Sequence, residues 1–224
     1  MKTIIIFITI LNWGFTAESQ TVSAQYEIKR TRKAATSDNP EALMTLNLTG
    51  YYYRNGSNSI FFCRPDYLKN YPDAIYQPGN MSLLNDSLQN ITYANLDSLL
   101  IRYRVGASNG LSSNVMYNYA PDYRSWEIYD TVRIINGLPC KYATTKSRSG
   151  DILCEIWFYP EIEMPVSINT LINVPGLIVE GTYFNTQETF KLAHFDLDVP
   201  FSQDVFWPEY FNEPFKKMPD AIKK

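Results

Sequence analysis

Residues 126–159 read WEIYDTVRII-NG-LPCKYATTK-SRSG-DILCEIWFY, which is three runs of strand-forming residues separated by two short turn sequences. The Asn136-Gly137 pair tolerates the positive φ angles that a two-residue hairpin turn requires. The Ser147–Gly150 segment consists of turn-forming residues and supplies a second reversal. The stretch therefore predicts an antiparallel three-stranded meander, around which the rest of the fold is built.

The pairing of the last two strands in this meander determines where two cysteines lie. If Thr144 is opposite Gly150, then Cys140 faces Cys154 on a mostly apolar surface. A disulfide between Cys140 and Cys154 and a pair of buried reduced thiols are both compatible with that arrangement. If the disulfide forms, Cys63 is left unpaired, because the chain has three cysteines.

The remainder of the chain also has the composition of a β protein. It contains 17 tyrosines and 12 phenylalanines, and short alternating runs recur between Asn, Gly and Pro clusters. Further strands are expected at residues 45–54, 59–63, 98–105, 115–119, 178–182 and 189–199. We expect a surface loop at residues 67–95 and an aromatic C-terminal tail, from Phe201 onward, that lies on the sheet and is held by its rings.

These patterns predict an all-β or β-rich fold. We expect one domain of antiparallel strands that form a curved sheet, a half-barrel or a sandwich, with few short helices. Val174–Leu177 has proline and glycine at its two central positions, which predicts a tight type II turn with a positive φ at Gly176.

The first residues have the three parts of a secretory signal peptide. Lys2 precedes an apolar run, and small residues lie before Gln20. We expect cleavage after residue 19, with a second possible cut after Ala24, and export of residues 20–224 as a single domain to the periplasm or the outside of the cell. The apolar run is shorter than the about 20 residues that a membrane-spanning helix needs, and no later segment approaches that length.

Charge and motif content exclude several classes of function. The chain has 20 basic and 23 acidic residues, which provides no basic patch for nucleic acid. No glycine-rich phosphate loop is present, so no nucleotide cofactor is expected, and we expect no other cofactor. The expected partner is therefore an envelope protein or a small ligand.

Few residues are candidates for catalysis or metal binding. His194 is the one histidine, and it shares a strand face with Asp196 and Asp198. Alternate residues on a strand are about 6–7 Å apart, which is wide for metal ligation, so a solvated polar face is the preferred interpretation. Glu161 and Glu163 form a carboxylate pair beside prolines. We assign no catalytic residue and favour a non-enzymatic role.

Nine residues between Trp126 and Ile178 together resemble the motif of the GLPGLI family of exported Bacteroidetes proteins. The matching residues are Trp126, Gly137, Cys140, Ala143, Trp157, Pro175, Gly176, Leu177 and Ile178. Asn173 and Val174 stand where the pattern has its first glycine and leucine, and Pro139 is an insertion before the cysteine. The resemblance implies an exported protein with a β-rich domain, and the family has no agreed biochemical function.

Three functions remain open at this point. The first is a non-enzymatic envelope protein that binds a ligand or protein partner through an aromatic face or the concave side of its sheet. The second is a metal- or carboxylate-dependent hydrolase that uses Glu161, Glu163, His194 or Asp196. The third is a purely structural component. A cleft that gathers the polar residues favours the second, whereas a pocket or patch elsewhere favours the first.

Overall fold

A computed structural model describes residues 20–33, 43–66, 89–106, 112–118, 125–147, 149–166, 168 and 171–217. The strands in these segments are β1 (Thr21–Lys33), β2 (Leu43–Asn55), β3 (Asn58–Pro65), β4 (Gln89–Asn95), β5 (Leu100–Gly106), β6 (Ser112–Asn118), β7 (Glu127–Ile135), β8 (Leu138–Lys146), β9 (Ile152–Tyr159), β10 (Met164–Val166), β11 (Ile172–Val174), β12 (Leu177–Tyr183), β13 (Glu188–Leu197) and β14 (Phe215–Lys217). Short 3-10 helices span Phe184–Thr186, Gln203–Phe206 and Glu209–Asn212. The expected signal peptide lies outside the described residues.

Twelve of the strands form one sheet in the order β14-β6-β5-β4-β3-β2-β1-β13-β12-β9-β8-β7, and β10 and β11 form a separate hairpin. Neighbouring strands are antiparallel except β14, which runs parallel to β6. The sheet is open and curved, and no described helix reaches seven residues. These features confirm the all-β, antiparallel fold class.

The β1 strand, which the sequence analysis did not anticipate, lies in the middle of the sheet between β2 and β13. Its side chains alternate regularly, because Val22, Ala24, Tyr26 and Ile28 are buried whereas Gln25 and the other odd-numbered positions up to residue 29 are more exposed. This period of two is that of a strand with one face against a core. The strand therefore joins two halves of the sheet that lie far apart in the sequence.

The hairpin of β10 and β11 fills one face of the sheet, which we call the inner face. The Tyr26 hydroxyl donates a hydrogen bond to the Ile178 carbonyl at 3.1 Å and lies 3.7 Å from Met164 Sδ. Trp126 donates from its indole nitrogen to the carbonyl of Ile172 in β11 at 3.1 Å. Buried residues that pack in this core from the hairpin and its flanks are Ile162, Met164, Ile168, Leu171 and Val174.

The C-terminal tail forms a second core on the opposite face, which we call the outer face. Phe206 and Phe211 are buried against Ile60, Ile91 and Tyr93. This packing confirms the expectation that the aromatic tail lies on the sheet and is held by its rings. It also explains why β4 was expected as a loop: a strand with both faces covered lacks the polar and apolar alternation that identifies strands. Residues 67–88 of that expected loop lie outside the described residues.

The three-stranded meander of β7, β8 and β9 is present, and its first turn is as predicted. Asn136 and Gly137 both have positive φ angles, of 51° and 82°. The predicted register between β8 and β9 is wrong, however, because Cys154 lies opposite Thr145. The Ser147 amide donates to the Asp151 carbonyl at 2.8 Å and closes a longer turn. The pairing of β8 with β9 also shifts in register between Thr145 and Lys146, just before this turn.

The corrected register separates the two cysteines. Cys140 lies five positions along β8 from Thr145, which corresponds to about 17 Å of strand. A disulfide needs Cα atoms within about 7 Å. The possible Cys140–Cys154 disulfide is therefore excluded, and Cys63, Cys140 and Cys154 are all buried free thiols.

The predicted type II turn at Val174–Leu177 is also corrected. Positive φ angles among the described glycines occur at residues 56, 137 and 150 and not at Gly176, whereas Asn173 has a φ of 54°. A Cβ atom at Gly176 would lie 2.7 Å from Phe158 Cδ2 and closer still to the Tyr159 carbonyl oxygen. The segment is thus a bend that carries the chain from the inner hairpin into the main sheet, and glycine is needed there for space.

Candidate functional site

The candidate metal residues lie on the outer face and remain solvated. His194 Nε2 lies 2.9 Å from Asp196 Oδ2, and the two side chains are 68% and 43% exposed. Asp198 follows the end of β13 with a left-handed φ of 57°. In the part of the chain that the structure describes, no group of three or more His, Cys, Asp or Glu side chains is arranged to hold a metal ion.

The carboxylates that were candidates for hydrolysis do not meet this histidine. Glu163 pairs with Arg54 at 2.8 Å, beside the inner hairpin, and Glu161 is exposed in the segment that leads into β10. His194 is opposite Gln25, an exposed outer-face position of β1. The two sets of residues therefore lie on opposite faces of the sheet and do not share a cleft.

Most of the residues that resemble the GLPGLI motif have structural roles. Ala143, Leu177 and Ile178 are buried in the inner core, Gly137 completes the first meander turn, and Trp126 bonds to the inner hairpin. Trp157 differs, because it is partly exposed and lines an open groove on the outer face.

This groove has a volume of about 450 Å³ and crosses β1, β13, β12, β9 and β8. Its volume is in the range of small-molecule sites. The charged and aromatic residues that line it are Glu27, Lys29, Tyr142, Glu155, Trp157, Glu180, Phe190 and Lys191.

The sheet register explains why these residues face each other. Glu27 is opposite Lys191, which is opposite Glu180. Glu180 is opposite Trp157, which is opposite Tyr142. Residues that pair directly across antiparallel strands project from the same face, so five strands present one continuous row. The row begins with alternating charges and ends with two aromatic rings.

The aromatic end of the groove is held together by ring contacts and one hydrogen bond. The ring centroids of Tyr142 and Trp157 are 5.2 Å apart, and those of Tyr129 and Tyr142 are 5.3 Å apart. The Tyr142 hydroxyl donates to Glu155 Oε2 at 2.8 Å. Burial, followed by the hydrogen bond to Glu155, raises the pKa of Tyr142 to about 12. Tyr142 is therefore a neutral hydrogen-bond donor at physiological pH.

An arginine from the edge strand β7 covers part of this end. The Arg133 guanidinium carbon lies 4.3 Å from the centroid of the Trp157 ring, and the guanidinium forms an ion pair with Glu180. The cation–π contact and the ion pair together fix both the arginine and the indole. Glu155 and Glu180 are thus both engaged by protein groups.

The other end of the groove contains charges that are not engaged. In the described segments, Glu27, Lys29 and Lys191 form no ion pair. Since Lys29 is opposite Thr189 and Lys191 is opposite Glu27, the two lysines are diagonal neighbours on adjacent strands, about 7–8 Å apart at the backbone. Both side chains are exposed and available to a ligand.

Sequence reasoning identified Trp157 as a motif residue and expected an aromatic face for binding, but it did not bring the other residues of this groove together. Strand β1, which supplies Glu27 and Lys29, begins more than a hundred positions before the strands that supply the other charges. An outward-facing charge on a strand also resembles any solvated surface residue. The alternation of Glu27 and Lys29 with buried neighbours could have identified β1 as a half-exposed strand. Nothing local to β1 indicates that Lys191 and Trp157 lie on the same face.

Comparisons with known proteins give the fold and no family. No protein-family model and no curated protein matches the chain. Two solved structures of PNGF-II, in space groups C2 and P21, superpose with a TM-score of 0.51 and 11% identity over 91% of this chain. The matched region is 31% and 32% of those chains, so this chain spans about a third of PNGF-II.

A DUF1329 family protein from Desulfovibrio piger aligns over 88% of this chain with 7% identity, but its TM-score of 0.29 supports no inference. Among the described helices, none is long and apolar enough to span a membrane. The likeness to PNGF-II, at 11% identity, establishes a shared fold alone.

Proposed function

We propose that this protein is an exported, non-enzymatic binding protein that holds a small polar ligand in the outer-face groove. The observation that carries the proposal is the combination of a groove of about 450 Å³ with two lysines that have no ion pair in the described chain. A purely structural role predicts a surface without such a groove, whereas the volume of this one is in the range of small-molecule sites.

The location of the groove refines the expected binding surface. In the described part of the chain, the inner face is packed by the β10–β11 hairpin and its apolar neighbours. The outer face is covered by the C-terminal tail over β3 and β4. The rest of the outer face, over β1, β13, β12, β9 and β8, is open and carries the rings of Tyr142 and Trp157.

Two backbone features support the further proposal that the chain is a GLPGLI-type exported protein. Asn173, which stands where the pattern has its first glycine, has a φ of 54°, and asparagine is one of the few other residues that adopt this conformation readily. Gly176 is required by its close approach to β9. In addition, β1 begins at Thr21, directly after the proposed signal cleavage site.

The test is recovery of small molecules from the native cell envelope on the mature protein, followed by mass spectrometry. The wild type is compared with a Lys29→Gln/Lys191→Gln variant and with a matched His194→Gln/Asp196→Asn variant, which changes exposed residues on the same face outside the groove. We expect one reproducible compound with the wild type and the His194 variant, and its loss with the lysine variant. Equal recovery on all three proteins would contradict the proposal.

A hydrolase remains a second candidate, although with different residues from those first considered. Glu155 is opposite Thr182 and Glu180 is opposite Trp157, so two carboxylates are diagonal neighbours in the groove. Paired carboxylates at about 5–9.5 Å are the arrangement that glycoside hydrolysis uses. Incubation of the recovered compound with wild type and with Glu155→Gln decides between the two: an unchanged compound supports binding, and cleavage that the substitution abolishes supports hydrolysis.

A further inference from the structure

We infer that the ligand is an acidic carbohydrate, with its acid group at Lys29 and Lys191 and a sugar ring at the Tyr142 and Trp157 end of the groove. The inference rests on the proposed binding role of the groove and adds the chemical class of the ligand.

The preference for an acid follows from the charges that remain available. Glu180 is engaged by Arg133, and Glu155 accepts from Tyr142. Of the groove charges without such a partner in the described chain, two are ammonium groups and one is the Glu27 carboxylate. Because the lysines are diagonal neighbours on β1 and β13, one carboxylate or sulfate group can contact both. Charge-assisted hydrogen bonds of this kind are about twice as strong as neutral ones.

The preference for a carbohydrate follows from the remaining lining. Tyr142 and the part of Trp157 that Arg133 does not cover line the other end of the groove, and such half-exposed rings present apolar surface that suits the C–H face of a sugar ring. Thr182 and Thr189 lie between the lysine end and the aromatic end, and their hydroxyls both donate and accept hydrogen bonds. A ligand that fills this groove therefore needs apolar ring surface, several hydroxyl groups and one acid, and sugars such as uronates or sulfated sugars have all three.

The experiment is binding of the mature protein to an array of glycans in matched pairs, each uronate or sulfated glycan beside its neutral parent. We expect binding to acidic members and at least about tenfold weaker binding to their neutral parents, since one charged hydrogen bond contributes about that factor. Lys29→Gln/Lys191→Gln should remove the preference. Glu27→Gln should strengthen binding of the acidic members, because it removes the competing carboxylate, and a change that acted only on folding would not do so.

Three outcomes would overturn the inference. They are equal binding of acidic and neutral partners, an acid preference that survives Lys29→Gln/Lys191→Gln, and absence of binding to any glycan. Thermal unfolding of each variant shows whether it is folded before it is compared. Because the groove itself is tested separately with native envelope material, a negative array beside a compound that the lysines retain would refute the carbohydrate assignment and leave the binding role in place.

Discussion

Gly176 illustrates how a residue can be identified correctly from sequence for the wrong reason. The Pro175-Gly176 pair indicated a turn that needs a positive φ, but the positive φ is at Asn173. Gly176 is instead required because any side chain would collide with β9. Sequence patterns report that glycine is needed, whereas the cause depends on a strand that lies elsewhere in the chain.

Substitution of Gly176 by alanine tests this explanation. The added Cβ would press on the Phe158 ring and the Tyr159 backbone, and the free energy of unfolding should fall by about 2 kcal/mol or more, as in other overpacked cores. The control is Gly137→Ala, where a Cβ meets no atom within 4 Å but the backbone has a φ of 82°, and there we expect a loss of about 1 kcal/mol. Urea unfolding of both variants gives the ranking, and a larger loss at Gly137 would refute the steric explanation.

The three thiols give a second test at the residue scale. Burial raises the pKa of the Cys63 and Cys140 thiols, which makes both poor nucleophiles in the folded protein. Alkylation of the protein under native conditions should therefore be slow. After denaturation without reductant, mass spectrometry should find three alkylated cysteines, and a Cys140–Cys154 cross-link would contradict the register of β8 and β9.

At the scale of elements, β1 and β13 are joined by a buried ion pair. Arg30 and Glu188 are opposite each other and are 3% and 0% exposed. Thr186 donates to the second Glu188 oxygen at 3.0 Å. Removing one member leaves the other charge buried without its counter-ion, which is far more costly than replacing both with apolar residues.

A double-mutant cycle measures this coupling. Arg30→Met alone should lower the free energy of unfolding by about 3–5 kcal/mol. The double variant Arg30→Met/Glu188→Leu should recover most of that loss, because no uncompensated charge remains in the core. Chemical unfolding of the two single variants and the double variant provides the cycle. Additive losses in the double variant would show that the two charges are not coupled.

The strands that sequence alone located are those with one solvated face or a strong turn. Asn136-Gly137 fixed the first hairpin of the meander, and alternation located β5 and β13 to within a few residues. Strand β4 was not predicted because both of its faces are covered. Ile91 and Tyr93 face the outer core, and Thr92 and Ala94 are buried on the opposite side. The register of β8 and β9 was missed because a longer turn and an irregularity cannot be read from composition.

Strand β7 is the edge of the sheet beside the groove. Val132 and Ile134 are exposed at 60% and 65%, and the pairing with β8 is interrupted between Tyr129 and Val132. Bulges and charged side chains on an edge strand oppose pairing with other chains. The same bulge lies next to Arg133, which reaches from this edge over Trp157.

At the scale of the whole molecule, one curved sheet separates two cores, and the groove lies on the part of the outer face that neither core covers. No local pattern predicts such a site, because β1 contributes Glu27 and Lys29 while β12 and β13 contribute Glu180 and Lys191. The sequence predicted the class of fold and the role of the aromatic tail. The groove depends on the pairing of β1 with β13, two strands that lie near opposite ends of the chain.

The central position of β1 also predicts where the proposed signal peptide is removed. Val22 and Ala24 are 0% and 3% exposed in the inner core, and a cut after Ala24 would remove both from the sheet. We therefore expect the protein exported by its native host to begin at Gln20. Intact-mass measurement checks this, and a mature chain that begins at Gln25 would contradict the role given to the start of β1.

The most direct test of the outer-face groove is a chemical-shift map of the isotope-labelled mature protein with the small-molecule fraction of the native envelope. We expect the largest perturbations at Lys29, Lys191 and the Trp157 indole, and none of these with Lys29→Gln/Lys191→Gln. Perturbations confined to the inner hairpin of β10 and β11, or to the β7 edge, would place the binding surface elsewhere and contradict the account.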